Sequence, residues 1–222
     1  MRIRGLTSAR RASVAFGLAA LMFSASTWGA SELTDTEQAA FASAGAKDPK
    51  LLVRGQLSVL LASDPSGKAS IYALLPIDST RAVPAVLRLG DADEAKAVVS
   101  ASAPAEFLGQ HDLLDVVVSF TTKTPALTSW HERHYLVRTT SAGQMACELQ
   151  GDAGSSSKDS EFADRVWFAK TSTRPFRFSA TSVGAGHQGS MFFDGVPQKK
   201  SYTFTNEAGA RCRLVTTPAD GP

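Results

Sequence analysis

From about residue 50 onward, apolar and polar side chains trade places every second residue. Val53, Leu57, Val59 and Leu61 fall on one side, across Gly55, with Arg54, Gln56 and Ser58 on the other, which is the period of a half-buried strand. Asp64-Pro65-Ser66-Gly67 then marks a corner, because proline presets φ and glycine accepts positive φ. Lys68 to Pro76 is therefore expected to return as the second strand of a hairpin. Val83 to Leu89 is a further strand candidate. The clearest alternation sets Leu114, Val116, Val118 and Phe120 against Asp115, Val117 and Ser119.

The C-terminal half continues in short β-favouring runs separated by Gly, Ser, Asn or Pro. The last two, around Tyr202-Thr203-Phe204 and Cys212-Arg213-Leu214, are joined by Glu207-Ala208-Gly209 and read as a hairpin.

Two stretches leave the period of two. Thr34-Asp35-Thr36-Glu37 matches the capping box, in which a threonine oxygen and a glutamate satisfy each other's backbone N–H groups. A short helix is expected over Gln38 to Ala44, stopped by Gly45 and Asp48-Pro49. Asp91 to Ser100 predicts an interior helix, with acids in the first turn where the helix dipole favours them. The fold expected is mostly β: an antiparallel sandwich or meander with one N-terminal helix and one interior helix. Gly151 to Ser160 is Gly/Ser-rich and polar, and is expected as a mobile loop at 151–160 inside a single β-rich domain over 31–222.

The first 30 residues differ in kind. Four arginines and no acid precede an apolar stretch from Ala12 to about Phe23, and small residues come after it. That is the layout of a secretory signal peptide, and the apolar part falls short of the roughly 20 residues a span needs. Cleavage is expected between 26 and 30, after Ser26 or Gly29 where the flanking residues are small. No cysteine precedes Cys147, so no thiol near the cut takes a lipid. The expected product is periplasmic or secreted, with no stable membrane span.

Removing the leader changes the charge picture. The 23 basic residues less the four arginines leave 19 against 21 acids, so +2 becomes about −2. A mixed surface without a long basic run carries no electrostatic footprint for nucleic acid. The two cysteines, Cys147 and Cys212, sit on alternating runs that turn both thiols inward, and an oxidising compartment favours a disulfide between them. Loop closure over that separation stabilises the fold by about 4 kcal/mol.

Few residues suggest chemistry. His131, Glu132 and His134 are the raw material of a metal site, with His111, Asp112 or His187 as a third ligand. The histidines are three apart rather than the four of a zinc-protease helix, and a strand points them to opposite faces. Gly184-Ala185-Gly186-His187-Gln188-Gly189 matches the dinucleotide fingerprint literally, but Ser190 to Asp194 is β-like where that fingerprint needs a helix start, so a glycine-rich loop between strands is the better reading. No Gly-x-Ser-x-Gly elbow occurs. Trp167 and Phe168 are interleaved with Lys170, Arg174 and Arg177 near Phe176 and Phe178. Trp167, Lys170, Arg174 and Arg177 are candidate binding residues for a sugar or acidic partner. Alternating aromatics also simply fill a core while the bases form the wet face.

The function expected is that of an exported non-catalytic binding module of the cell envelope, recognising a protein or glycan and using no cofactor. The alternative is an exported hydrolase, metal-assisted through His131, Glu132 and His134.

Overall fold

The Thr34 and Glu37 cap forms as the sequence predicts. Glu37 N–H donates to Thr34 Oγ1 at 3.3 Å, and Thr34 N–H donates to Glu37 Oε2 at 2.8 Å. It opens helix α1, Asp35–Ser43, which ends where Gly45 adopts φ +74°. Arg54 reaches the same carboxylate at 2.9 Å and holds its pKa below the usual glutamate range. This computed structural model describes residues 33–77, 82–92, 97–140, 143–173, 175–206 and 212–217, with side chains left undescribed at 139, 140, 143–145, 205, 206 and 212–217. The expected signal peptide lies outside them.

The first sheet is antiparallel, in the order β1 (Lys47–Val53), β2 (Ser58–Ser63), β3 (Ala69–Leu75), β4 (Ala85–Asp91). The single strand expected through Val53 and Leu61 is in fact a hairpin. The chain turns at 54–57, so that Val53 pairs with Val59, and Asp48-Pro49 lies inside β1 rather than in a helix terminus. The Asp64 corner holds: Gly67 takes φ +85°, and Asp64 Oδ1 accepts from Ser66 N–H, Ser66 O–H and Lys68 N–H at 2.8, 2.7 and 3.0 Å. On one face of this sheet Leu60, Ala62, Tyr72 and Leu74 bury against Phe41 of α1, with the Phe41 and Tyr72 rings edge-on at 5.8 Å.

The second sheet contains β5 (Val98–Ala101), β6 (Ala105–Phe107), β7 (Gln110–Lys123), β8 (Leu127–Thr140), β9 (Gly143–Ser157), β10 (Ser160–Thr173), β11 (Phe176–Gln188), β12 (Met191–Asp194), β13 (Gln198–Asn206) and β14 (Cys212–Thr217). From β7 to β14 neighbours in the sheet are neighbours in the chain, with β12 paired to β11 alone. The β7 alternation is as read: Val116, Val118 and Phe120 are buried, joining Tyr135 and Val137 of β8 and Val59, Ile71 and Ala73 of the first sheet in one cluster. Leu113 and Leu136, on the other face, enter a second cluster with Cys147, Leu149, Phe176, Phe178 and Phe204.

Two expectations fail. The interior helix expected over Asp91 to Ser100 is not formed by the described residues of that stretch: Asp91 ends β4, paired with Ser70 and bound to Arg88, and Val98 and Val99 pair with Thr121 and Phe120 in β5. Residues 93–96 lie outside the described ones, among which α1 is the one helix. The expected loop at 151–160 is strand almost throughout, Gly151 to Ser157 completing β9 and Ser160 starting β10. A strand with a partner on each side takes its conformation from the ladder, and composition is overridden. Among the described residues no helix is long and apolar enough to cross a membrane.

Candidate functional site

A bulge in β9 shapes a recess in the surface of the second sheet. Between the pairs His131 with Ala153 and Arg133 with Gln150, two β9 residues, Gly151 and Asp152, face Glu132 alone. A bulge bends its strand and adds twist. Beyond it β10 pairs with β9 only from Glu161 to Asp164. Asp152 then bridges the parting strands, its Oδ1 accepting from Val166 N–H at 2.7 Å and its Oδ2 from Arg165 at 2.8 Å. On the far side β14, paired to β13, comes back against β9, so β9 to β14 curl round the aromatic cluster.

The parted strands leave a half-open cleft of about 430 Å³. Leu149, Val166, Phe168 and Ala180 supply its apolar lining, and Glu148, Gln150, Asp164, Ser182, Gln198, Lys200 and Tyr202 its polar groups. A smaller hollow of about 210 Å³ shares Asp164, Ser182 and Gln198 with it and extends to Phe162, Gly184 and Val196. Of these residues only Phe168 and Gly184 stood out in the sequence, and neither as part of a cleft. The cleft joins four strands, and the one local hint is the Gly151-Asp152 pair that makes the bulge.

No protein family, curated protein or solved structure matches the chain.

The candidate metal residues are not brought together. His131 stacks on Phe120 at 4.9 Å, on the face towards the first sheet, whereas His134 and Glu132 lie on the other face. His134 Nδ1 is 2.9 Å from Asp115 Oδ2, its ring meets Phe168 edge-on at 5.0 Å, and Glu132 accepts from Ser119 at 3.2 Å. His111 instead meets Glu106 at 2.5 Å, which raises the imidazole pKa, and Asp112 pairs with Arg138 at 3.1 Å. Among the described residues no three His, Cys, Asp or Glu side chains gather as a metal site. Two-residue periodicity is the reason: it separates positions 131 and 134 by a sheet thickness.

The candidate binding set divides in the same way. Trp167, 46% exposed, lies opposite Thr181, and Arg177 shares that face of β11. Lys170 is in register with Phe178, on the other face, and Arg174 is outside the described residues. Phe176 and Phe178 are buried, so the bland reading of those aromatics is correct for them. The glycine run is strand rather than loop up to Gln188. A Cβ on Gly184 would meet the Phe162 ring at 3.1 Å, and one on Gly186 the Phe193 ring at 3.0 Å and Glu161 O at 2.5 Å. These glycines let neighbouring strands lay aromatic rings across them.

Those rings belong to an apolar end of the sheet. Phe162 stacks on Phe193 at 6.3 Å, Phe192 is 82% exposed and Val196 83%. No described strand pairs with the other edge of β12. Cys147 is buried in the aromatic cluster and is not a free thiol, while the side chain of Cys212 is outside the described ones.

Proposed function

We propose that the chain is an exported, non-catalytic binding module of the cell envelope that recognises a protein or glycan partner outside the cytoplasm. The observation that carries the reading is the exposed apolar end at Phe162, Met191, Phe192, Phe193 and Val196. Large side chains gathered on a surface mark an interaction site. The unpaired edge of β12 adds a row of backbone donors and acceptors on which an extended segment of a protein partner adds as a further strand. The arginine-rich start and apolar run of the leader support export. Shared burial of Val59, Ile71, Val116 and Tyr135 supports a sandwich arrangement of the two sheets. The return of β14 to β9 supports a Cys147–Cys212 disulfide across that closure.

The test is a pull-down from envelope extract with the leader-free, oxidised protein as bait. Partner capture is expected to survive Trp167→Ala with Arg177→Ala and to fail with Phe192→Ser and Phe193→Ser. Capture that ignores the β12 pair and is lost with the Trp167 pair places the surface on the other candidate residues.

One observation favours the hydrolase alternative in a metal-free form: Asp115 orients His134, and a Cβ on Gly151, a residue lining the cleft, would stand 2.8 Å from His134 Nε2. An aspartate-held imidazole is the base half of a nucleophilic site. Turnover of ester or glycoside substrates that disappears in His134→Ala would establish it.

A further inference from the structure

The cleft and the smaller hollow beside it share Asp164, Ser182 and Gln198, so together they form one groove across β10, β11 and β13. From Phe162 to Phe168 its floor spans seven residues of β10, about 20 Å at a strand's rise. The floor is stiff, because β10 pairs with β11 along its length and β11 with β13 from Arg177 to Ser182. It is also open where it needs to be: Gly184 carries no side chain into the groove, and Phe162 lies beside it.

Apolar surface stands at both ends, Phe168 with Tyr202 at one and Phe162 with Val196 at the other. The polar groups lie between. The side chains of Asp164, Ser182 and Gln198 make no hydrogen bond or ion pair with another described residue, so their capacity is available to a ligand. Gln150 and Lys200 flank them. Glu148 and Asp164 against Lys200 give no strong field of either sign, which disfavours a phosphate or other multiply charged ligand. Carboxylate acceptors, amides and a hydroxyl set between apolar platforms suit groups that both donate and accept on a ring with apolar faces.

We propose that this groove binds a linear, uncharged oligosaccharide, with the carboxylate of Asp164 and the amide of Gln198 reading ring hydroxyls or acetamido groups and Phe168 and Phe162 covering sugar faces. This site borders the apolar end on β12 and shares Phe162 and Val196 with it, but its polar groups belong to the groove alone, and it stands without the protein-docking reading.

Isothermal titration calorimetry of the leader-free protein with cello-hexaose and with N-acetylated chito-hexaose tests it. Saturable heat with one of them is expected. Asp164→Asn and Gln198→Ala should each weaken binding about tenfold, the loss of one well-made hydrogen bond. Lys199→Gln, on the strand position whose side chain alternates away from the groove, should leave it unchanged. Thermal melts of each variant separate lost recognition from lost folding. No heat with either sugar at about 1 mM, or binding indifferent to both groove substitutions, overturns the proposal. Phe192→Ser alone, at an exposed ring outside the groove lining, should keep sugar binding intact, so failure of the protein-partner reading and failure of the groove are told apart.

Discussion

Asp115 on β7 holds the imidazole of His134 on β8 from the adjacent strand, its Oδ2 and Oδ1 2.9 and 3.1 Å from Nδ1. Both side chains are mostly buried, and the ring is held further by Phe168 and lies close over Gly151, where a Cβ would collide with it. The bulge, the parting of β10 and the cleft therefore meet at one histidine.

Gly151→Ala tests that convergence. Its Cβ would stand 2.7 Å from the His134 ring and 3.0 Å from Glu132 Cβ. Overpacking of this kind costs about 1–3 kcal/mol. Urea denaturation should show that loss for Gly151→Ala, and a similar one for Asp115→Ala, which leaves the imidazole without its acceptor.

The Asp64 corner contributes stability that acid removes. Hydrogen bonds from the Ser66 hydroxyl and the Ser66 and Lys68 amides, with Arg88 3.5 Å away, hold the carboxyl below the usual aspartate range. A carboxylate lowered in the folded state stabilises fully above its unfolded pKa, and that contribution is lost as pH falls through the folded value. Thermal melts from pH 7 downward should show Asp64→Asn less stable than the native chain at neutrality. Its deficit against the native chain should shrink as the solution becomes acid.

Closure by the cysteines is open to a direct chemical test. Intact mass after alkylation without reductant should show no modified thiol in oxidised protein. Cys147→Ser should lower stability by about 2–5 kcal/mol. Two alkylated cysteines in unreduced material would rule the bridge out.

Two phenylalanines should behave oppositely. Phe178 is fully buried among Phe107, Phe168, Phe176 and Tyr202, and its replacement by alanine should cost about 3–5 kcal/mol. Phe192 is 82% exposed, and Phe192→Ser should change stability by less than about 0.5 kcal/mol. Light scattering at high protein concentration should detect less self-association in the Phe192 variant, because it blunts an apolar open edge.

Where structure depends on neighbours in sequence, it was legible. The Thr34–Glu37 cap, the Asp64–Gly67 corner and the alternation from Leu114 to Phe120 each carry their cause within a few residues. Asp91 to Ser100 misled because Asp91, an acid suited to a helix start, serves equally as an ion-pair partner for Arg88 at a strand end. Gly151 to Ser157 misled for a different reason. Its glycines answer to bulky partners on other strands, such as the Trp130 ring that a Cβ on Gly154 would meet at 2.9 Å. The groove escaped notice altogether, since Asp164, Ser182 and Gln198 are ordinary surface residues until three strands set them side by side.

The return of β14 to β9 also orders events during synthesis. Hairpins from β7 to β11 form between chain neighbours and can zip as they emerge, as short-range contacts allow. The curl around Phe178 cannot shut until the final described strand arrives, more than fifty residues after its counterpart on β9. A chain emerging from its N-terminus would hold that aromatic interior ajar until β14 was made, so the part of the fold richest in rings is the last to close.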